Sequence, residues 1–339
     1  MDHKRFSAVT EKREKFMVHE IEELFFDKEY STLELTETAN AYFREKFKAR
    51  INFFYPGRKF PAVSITNGSC QLNCSHCNKI YLSQMIPISR YKSLLDFAKS
   101  AEDKGALGAL VSGGCDRDGA VPLEDFLEDI YRVKRETSLI LNVHTGLLRP
   151  RIIKRLADTN IDIVSYDLPG DDEVIRNVFH LSKSWVDYRE GFRKLMSAGI
   201  NYVVPHICLG LNKGEIKGEF NALRVLEEFD PELIVIIIFT PTKGTEFQYL
   251  SPPPLNSVTR ILSLIRIAFP SAQLSLGCMK PRGRLKTDIE LAAIQSGVNR
   301  IVIPSLETMK FVSRTNFPVK KYYGCCCLPD KLLPVFEII

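Results

Sequence analysis

Pro61-Ala-Val-Ser-Ile-Thr-Asn-Gly-Ser-Cys70-Gln-Leu-Asn-Cys74-Ser-His-Cys77 joins an apolar run to three closely spaced cysteines. Ala62–Thr66 reads as a buried strand, and the cysteines lie on the loop leaving it. Three thiolates at C-x3-C-x2-C spacing can hold three corners of a cubane iron–sulfur cluster and leave the fourth iron without a protein ligand. Such clusters are normally held by four thiolates, so the missing one invites an exogenous ligand. Structural zinc is a competing reading. It wants four ligands, usually as two paired C-x-x-C knuckles, and no second pair follows at that spacing. His76, adjacent to Cys77, is badly placed to close a tetrahedron with it. A chance trio in a chain of nine cysteines is the other alternative.

The chain has 339 residues, a length at which α/β barrels still form one domain. Its 45% hydrophobic and 26% charged content is that of an ordinary soluble globular enzyme. The net charge of +5 is modest and the basic residues are scattered, which argues against a nucleic-acid partner. The longest apolar run, Leu233 to Phe239, is far short of the roughly 20 residues that cross a bilayer, so no membrane segment is expected. Met1-Asp-His-Lys-Arg leads into Glu/Lys-rich sequence with no apolar core, so no secretory signal is read. Nine cysteines without such a signal point to a reducing cytoplasm and to metal or redox duty.

Residues 1–58 carry helical apolar spacing at Ile21, Leu24 and Phe25, then at Leu33, Leu35, Ala39, Tyr42 and Phe43, and are read as an N-terminal helical extension of two or three helices. From 59 to 305, β-branched runs alternate with amphipathic stretches. Strands are expected at Ala62–Thr66, Leu107–Ser112, Ile140–Val143, Ile161–Tyr166, Tyr202–Leu209, Leu233–Phe239, Gln273–Leu276 and Arg300–Ile303. Helices are expected at Arg90–Lys104, Leu123–Glu136, Arg151–Thr159, Trp185–Ala198, Gly218–Phe229 and Val258–Phe269. Eight such units spell an α/β fold, a (β/α)8 TIM-type barrel whose parallel strands are apolar on both faces. A six-unit partial barrel is the alternative. Residues 306–339 are a tail that reads as loop from Lys321 and contains Cys325-Cys326-Cys327.

In this fold functional groups belong at the C-terminal strand ends. The second strand ends Val111-Ser-Gly-Gly-Cys115, where Gly113 and Gly114 let a ligand approach the backbone closely. Asn142, His144 and Thr145 close the third strand, Asp167 the fourth and His206 the fifth. Of these, His144 and Asp167 are candidate ligand contacts. Each also reads as a cap, a turn former or a satisfied core polar group. A second cysteine group consists of Cys278, in Leu276-Gly-Cys-Met-Lys-Pro-Arg-Gly283, and the tail trio, with Cys115 and Cys208 in reserve. It is read as a second iron–sulfur site, although buried free thiols also behave as small hydrophobes.

The cysteine loop and the Gly-Gly strand end resemble those of the radical S-adenosylmethionine (SAM) superfamily, and the stretch from about 60 to 305 resembles its biotin synthase and lipoyl synthase group. Cys74-Ser-His-Cys-Asn-Lys-Ile-Tyr-Leu82, Val111-Ser-Gly-Gly-Cys-Asp116 and Leu276–Gly283 are closest to an archaeal-type biotin-synthase-related branch, similar to a two-protein lipoyl synthase. The resemblance implies a [4Fe-4S] cluster on Cys70, Cys74 and Cys77, with the SAM amino and carboxylate groups on the open iron and Gly113 and Gly114 at the amino group. His76 stands where an aromatic residue usually lies near the adenine. Cys278 stands where biotin synthase places an arginine ligand of its sulfur-donating cluster. The other ligands of that cluster have no clear match here, so a second cluster would draw on Cys325, Cys326 and Cys327. The activity implied is formation of a 5′-deoxyadenosyl radical for sulfur insertion into an octanoyl-type chain, a transferase reaction of lipoate biosynthesis. The partners implied are an acyl-carrier-type or small aliphatic substrate, a low-potential donor such as ferredoxin or flavodoxin, and a second radical SAM protein. The rivals are other radical SAM chemistry (biotin-type sulfuration, rearrangement or metal-cofactor maturation) and a non-catalytic iron–sulfur or zinc protein.

Overall fold

Val63, Val111, Val143, Val164 and Val203 stand opposite one another across five neighbouring parallel strands, one β-branched row in register. The computed structural model that shows this row describes residues 15–338. The strands are β2 (Ala62–Ser64), β4 (Gly108–Ser112), β5 (Ile140–His144), β6 (Ile163–Asp167) and β7 (Tyr202–Leu209), with the short β3 (Ile86–Pro87) beside β2. The first four valines are fully buried, as a parallel sheet covered on both faces requires. Side chains alternate along a strand. The face opposite the valine row therefore carries Ser64, Ser112, Asn142, His144, Ser165, Asp167 and His206, so one face is apolar and the other holds the polar groups.

The described chain divides into two compact units. One takes Tyr55–His206, Pro241–Leu250 and the chain from Tyr322 onward, and holds the valine row. The other takes the chain to Phe54, then Ile207–Thr240 and Ser251–Lys321. In that second unit β1 (Ile51–Phe54), β10 (Arg300–Val302), β9 (Gln273–Leu276) and β8 (Leu233–Ile238) pair in parallel, with β11 (Val319–Tyr322) beside β1.

All eight expected strands form, and the fold class is the parallel α/β, TIM-type one. Three strands were not expected: β1, inside the stretch read as helical, the two-residue β3, and β11, in the stretch read as tail. The expected helices appear as α3 (Leu94–Asp103), α4 (Leu127–Glu136), α5 (Pro150–Ala157), α6 (Trp185–Met196), α7 (Glu219–Glu227) and α8 (Leu255–Ala268). Before Pro61 lie α1 (Val18–Phe26) and α2 (Thr32–Phe47), and after β9 lie α9 (Arg284–Gln295) and α10 (Leu306–Arg314). The reading of Met1-Asp-His-Lys-Arg falls outside the described residues. Ser31 and Glu34 close a capping box on α2. Arg260 of α8 donates to the carbonyls of Leu24, Phe25, Asp27 and Tyr30, satisfying acceptors at the C-terminal end of α1. No helix among the described residues is long and apolar enough to cross a membrane.

Candidate functional site

β2 ends at Ser64, and the next thirteen residues form the cysteine loop. Its path is set by backbone hydrogen bonds: the Cys77 and Asn78 amides donate to the Cys74 carbonyl at 3.1 and 3.0 Å, which curls Cys74–Cys77 into one turn. At its start, the Gln71 amide donates to the Cys115 carbonyl at 2.8 Å, and the Cys115 amide donates to the Cys70 sulfur at 3.2 Å. Cys70 is thereby tied to the end of β4. The amides of Lys79, Ile80 and Tyr81 favour the thiolate of Cys77, although burial still pushes this thiol up.

Burial, and then the neighbouring sulfurs of Cys77 and Cys70, push the Cys74 thiol up to about 12. Cys115 is pushed up by burial and by Cys70, Cys74 and Asp167. Three neighbouring thiolates would repel one another unless a cationic core sat among them. N–H groups aimed at two of the sulfurs and the mutual repulsion of all three are what a cluster-binding loop requires, so the donor set fits the iron–sulfur reading. Among the described residues no group of three or more His, Cys, Asp or Glu could hold a single metal ion.

His76 is half-buried, and its Nδ1 is buried without a hydrogen-bond partner. Burial pushes its imidazole down to about 4 while Asp167 pulls the other way. Its ring lies 5.6 Å from that of Phe179. A neutral, flat ring with an unused polar atom is suited to a planar ligand. Gly114 is packed against the loop itself: a Cβ there would lie 2.1 Å from the Ser69 carbonyl oxygen and 2.4 Å from the Cys70 Cβ. The Gly114 amide donates to Thr66 Oγ1 at 2.7 Å. Gly113 has a little more room, its nearest neighbour being Thr66 Oγ1 at 3.0 Å.

His144 and His206 meet edge to face with centroids 5.4 Å apart on the polar face. His206 is buried, and burial and His144 hold its imidazole low. Asp167 is exposed at the end of β6. The tail cysteines belong to this same unit. The Asn142 amide donates to Cys327 Sγ at 3.0 Å, and Ser165 in turn donates to Asn142 Oδ1 at 3.0 Å. Cys325 and Cys326 have their sulfurs 3.7 Å apart. Hydrogen bonds from Cys326 and Cys327, with His206 nearby, hold the Cys325 thiol well below its usual range.

The stretch from Lys321 on, read as loop, is packed: Cys326, Cys327, Leu328 and Phe336 are buried, and Asp330–Phe336 is a 3-10 turn. Cys278 belongs to the other unit, where it is exposed after β9. Sequence reasoning missed Ser75, inside the loop, and His180 and Glu246, which meet its hydroxyl. The only sequence hint was that Ser75 lies inside the cysteine motif.

Residues 64–222 match the radical SAM superfamily model. A biotin synthase from Prochlorococcus marinus (strain NATL1A) is 23% identical over 248 residues, covering 70% of each chain. Among solved structures, the FeFe-hydrogenase maturase HydG from Carboxydothermus hydrogenoformans superposes with a TM-score of 0.70 at 17% identity, covering 97% of this chain and 81% of that one. Methylornithine synthase (PylB) gives 0.62 at 18% identity, covering 87% and 84%. At these identities the structural likenesses establish the fold alone.

Proposed function

We propose that this chain is a radical SAM enzyme that inserts sulfur into an unactivated aliphatic chain of octanoyl type, a reading supported by the match of residues 64–222 to the radical SAM superfamily model. The observation that carries the radical SAM chemistry is the loop of Cys70, Cys74 and Cys77, with N–H donors on its sulfurs and no fourth thiolate on the loop. When bound, the cluster and SAM supply a primary carbon radical able to take hydrogen from an unactivated C–H bond. The chain's own residues bind, orient and shield. Cys70, Cys74 and Cys77 would hold the cluster. Gly113 offers backbone to the amino-acid end of SAM, and His76 offers a flat face and a free nitrogen to the adenine. His144 and Asp167, which end β5 and β6, would meet substrate or SAM. At such a strand end the protein would hold the target carbon in line and keep water from the radical.

Sulfur insertion is supported by the similarity to biotin synthases and by the tail thiols grouped beside the polar sheet face. In this reading the tail cysteines serve a second cluster that donates the sulfur, a ferredoxin- or flavodoxin-type protein supplies electrons, and a second radical SAM protein acts on the same acyl carrier. Biotin-type ring sulfuration is the second reading, favoured by the name those relatives bear.

Two experiments separate the possibilities. Anaerobic incubation with SAM, reductant and an octanoylated carrier should give a product with added sulfur by mass spectrometry. Turnover of dethiobiotin instead would move the assignment to the second reading. Replacing Cys325, Cys326 and Cys327 by Ala should lower iron by about one four-iron cluster and stop sulfur transfer while SAM cleavage continues. Unchanged iron and full product would remove the tail from the chemistry.

A further inference from the structure

We infer that Ser75 is the positioning residue that holds the three cysteines in their binding arrangement, and that the segment Pro241–Leu250 is the clamp it fastens to. The inference rests on the reading of this loop as the cluster-binding loop. Ser75 lies between Cys74 and Cys77, is buried, and every polar group it owns is engaged across long stretches of sequence. Its amide donates to the Val178 carbonyl at 2.9 Å, and its carbonyl accepts from the Phe247 amide at 3.1 Å. Its hydroxyl lies 2.6 Å from Glu246 Oε2 and 3.0 Å from His180 Nε2. A carboxylate only accepts, so the single hydroxyl proton goes to Glu246, and His180 must donate to the serine oxygen. The chain of bonds therefore runs one way, His180 to Ser75 to Glu246.

Both anchors are unusual pieces of backbone. Val174–Val178 is a π-helical turn, a form that often marks functional segments. His180, two residues further, sits at φ +57°, a left-handed conformation uncommon outside glycine. The second anchor is a ten-residue excursion grouped with the cysteine loop's unit, although the residues before and after it are not. Two more ties bind the loop to it: Asn78 donates to the Gly244 carbonyl at 3.2 Å, and the Tyr81 hydroxyl meets Thr242 Oγ1 at 2.6 Å. Ser75 thus fixes the backbone of the motif from inside, between Cys74 and Cys77, to two distant segments.

The test uses the full chain with Ser75→Ala, Glu246→Ala and Glu246→Gln. Amide exchange of residues 70–82 is read before cluster reconstitution, and iron release to a ferrous chelator is read after it, beside the thermal midpoint. Loss of a partner just outside a metal's ligands typically weakens binding ten- to a hundredfold, so Ser75→Ala and Glu246→Ala should release iron about tenfold faster or more. Their loops should exchange faster in the metal-free state. Glu246→Gln keeps an oxygen that accepts from Ser75 and should hold iron like the parent. A purely structural Ser75 would lower the thermal midpoint and leave iron release alone, which overturns the inference. Equal release by Glu246→Gln and Glu246→Ala also overturns it, and this pair decides if Ser75→Ala does not fold. A wild-type chain that takes up no iron–sulfur cluster would bring down the cluster reading, and the inference with it. A loaded wild type indistinguishable from Ser75→Ala sinks the inference alone.

Discussion

Gly114 has a duty that its place in a Gly-Gly pair does not reveal. A side chain there would strike the backbone of Ser69 and Cys70, so the missing Cβ makes room for the cysteine loop before any ligand arrives. Overpacking a tight site costs about 1–3 kcal/mol, and more where the obstacle is backbone. Gly114→Ala should therefore cost about 3 kcal/mol or more in urea unfolding and lower iron uptake. Gly113→Ala, with its nearest neighbour a threonine side chain, should cost less. Equal effects of the two would show that the loop yields easily.

Tyr166 gives a prediction in pH. Its hydroxyl donates to the Tyr188 carbonyl at 3.0 Å, and burial pushes its phenol up from the usual value near 10. Above that pH the unfolded chain releases this proton while the folded chain keeps it. The folded state then binds more protons, so stability present at lower pH is lost as pH rises past about 10. Tyr166→Phe should flatten the alkaline fall in stability, and also cost about 1 kcal/mol at neutral pH from the lost hydrogen bond. An unchanged alkaline slope would contradict it. Nothing in the sequence pointed to His180 and Glu246 as neighbours of Ser75, because they lie 105 and 171 residues away and carry no motif.

Strands were legible where burial made them so. A parallel strand covered on both faces is apolar throughout, and Leu233-Ile-Val-Ile-Ile-Ile238 announces itself. β11, Val319-Lys-Lys-Tyr322, lies at the edge beside β1 and has no apolar run to read. β3 is two residues long. β1, Ile51-Asn-Phe-Phe54, is buried along its length but short, and follows directly on helical sequence. Leu276–Gly283 was read for its cysteine, yet its lysine anchors the loop. Lys280 is buried and donates to the carbonyls of Gly277 and Val302 at 3.1 and 2.6 Å, with Glu290 at 3.5 Å. Glu290 also accepts from the Ser305 amide and the Thr308 hydroxyl. Removing one partner of a buried pair costs about 3–5 kcal/mol. Lys280→Met should show a loss of that size in urea unfolding, and a loss under 1 kcal/mol would mean that Glu290 is satisfied without it.

The alternation of β-branched and amphipathic stretches was enough to give the fold class, because strand and helix periods differ and the order repeats. The division into compact units was not legible. Its limits at 55, 207, 241 and 322 follow contacts between distant segments, and only the one at 251 falls on a visible feature, the Pro-rich Ser251-Pro-Pro-Pro254. The packing of the tail was hidden for the same reason, since Cys327 finds its partner Asn142 across 185 residues. The cysteine loop is the reverse case, a candidate site written in eight consecutive residues, Cys70 to Cys77.

The most direct measurement is 5′-deoxyadenosine formed from SAM by the anaerobically reconstituted, dithionite-reduced chain, compared with Cys70→Ala, Cys74→Ala and Cys77→Ala. The wild type should release 5′-deoxyadenosine, and each variant should fall to background while its far-ultraviolet circular dichroism stays that of the parent. Sustained 5′-deoxyadenosine release by any one of the three variants, or none by an iron-loaded wild type, would contradict the assignment of these thiolates to a SAM-cleaving cluster.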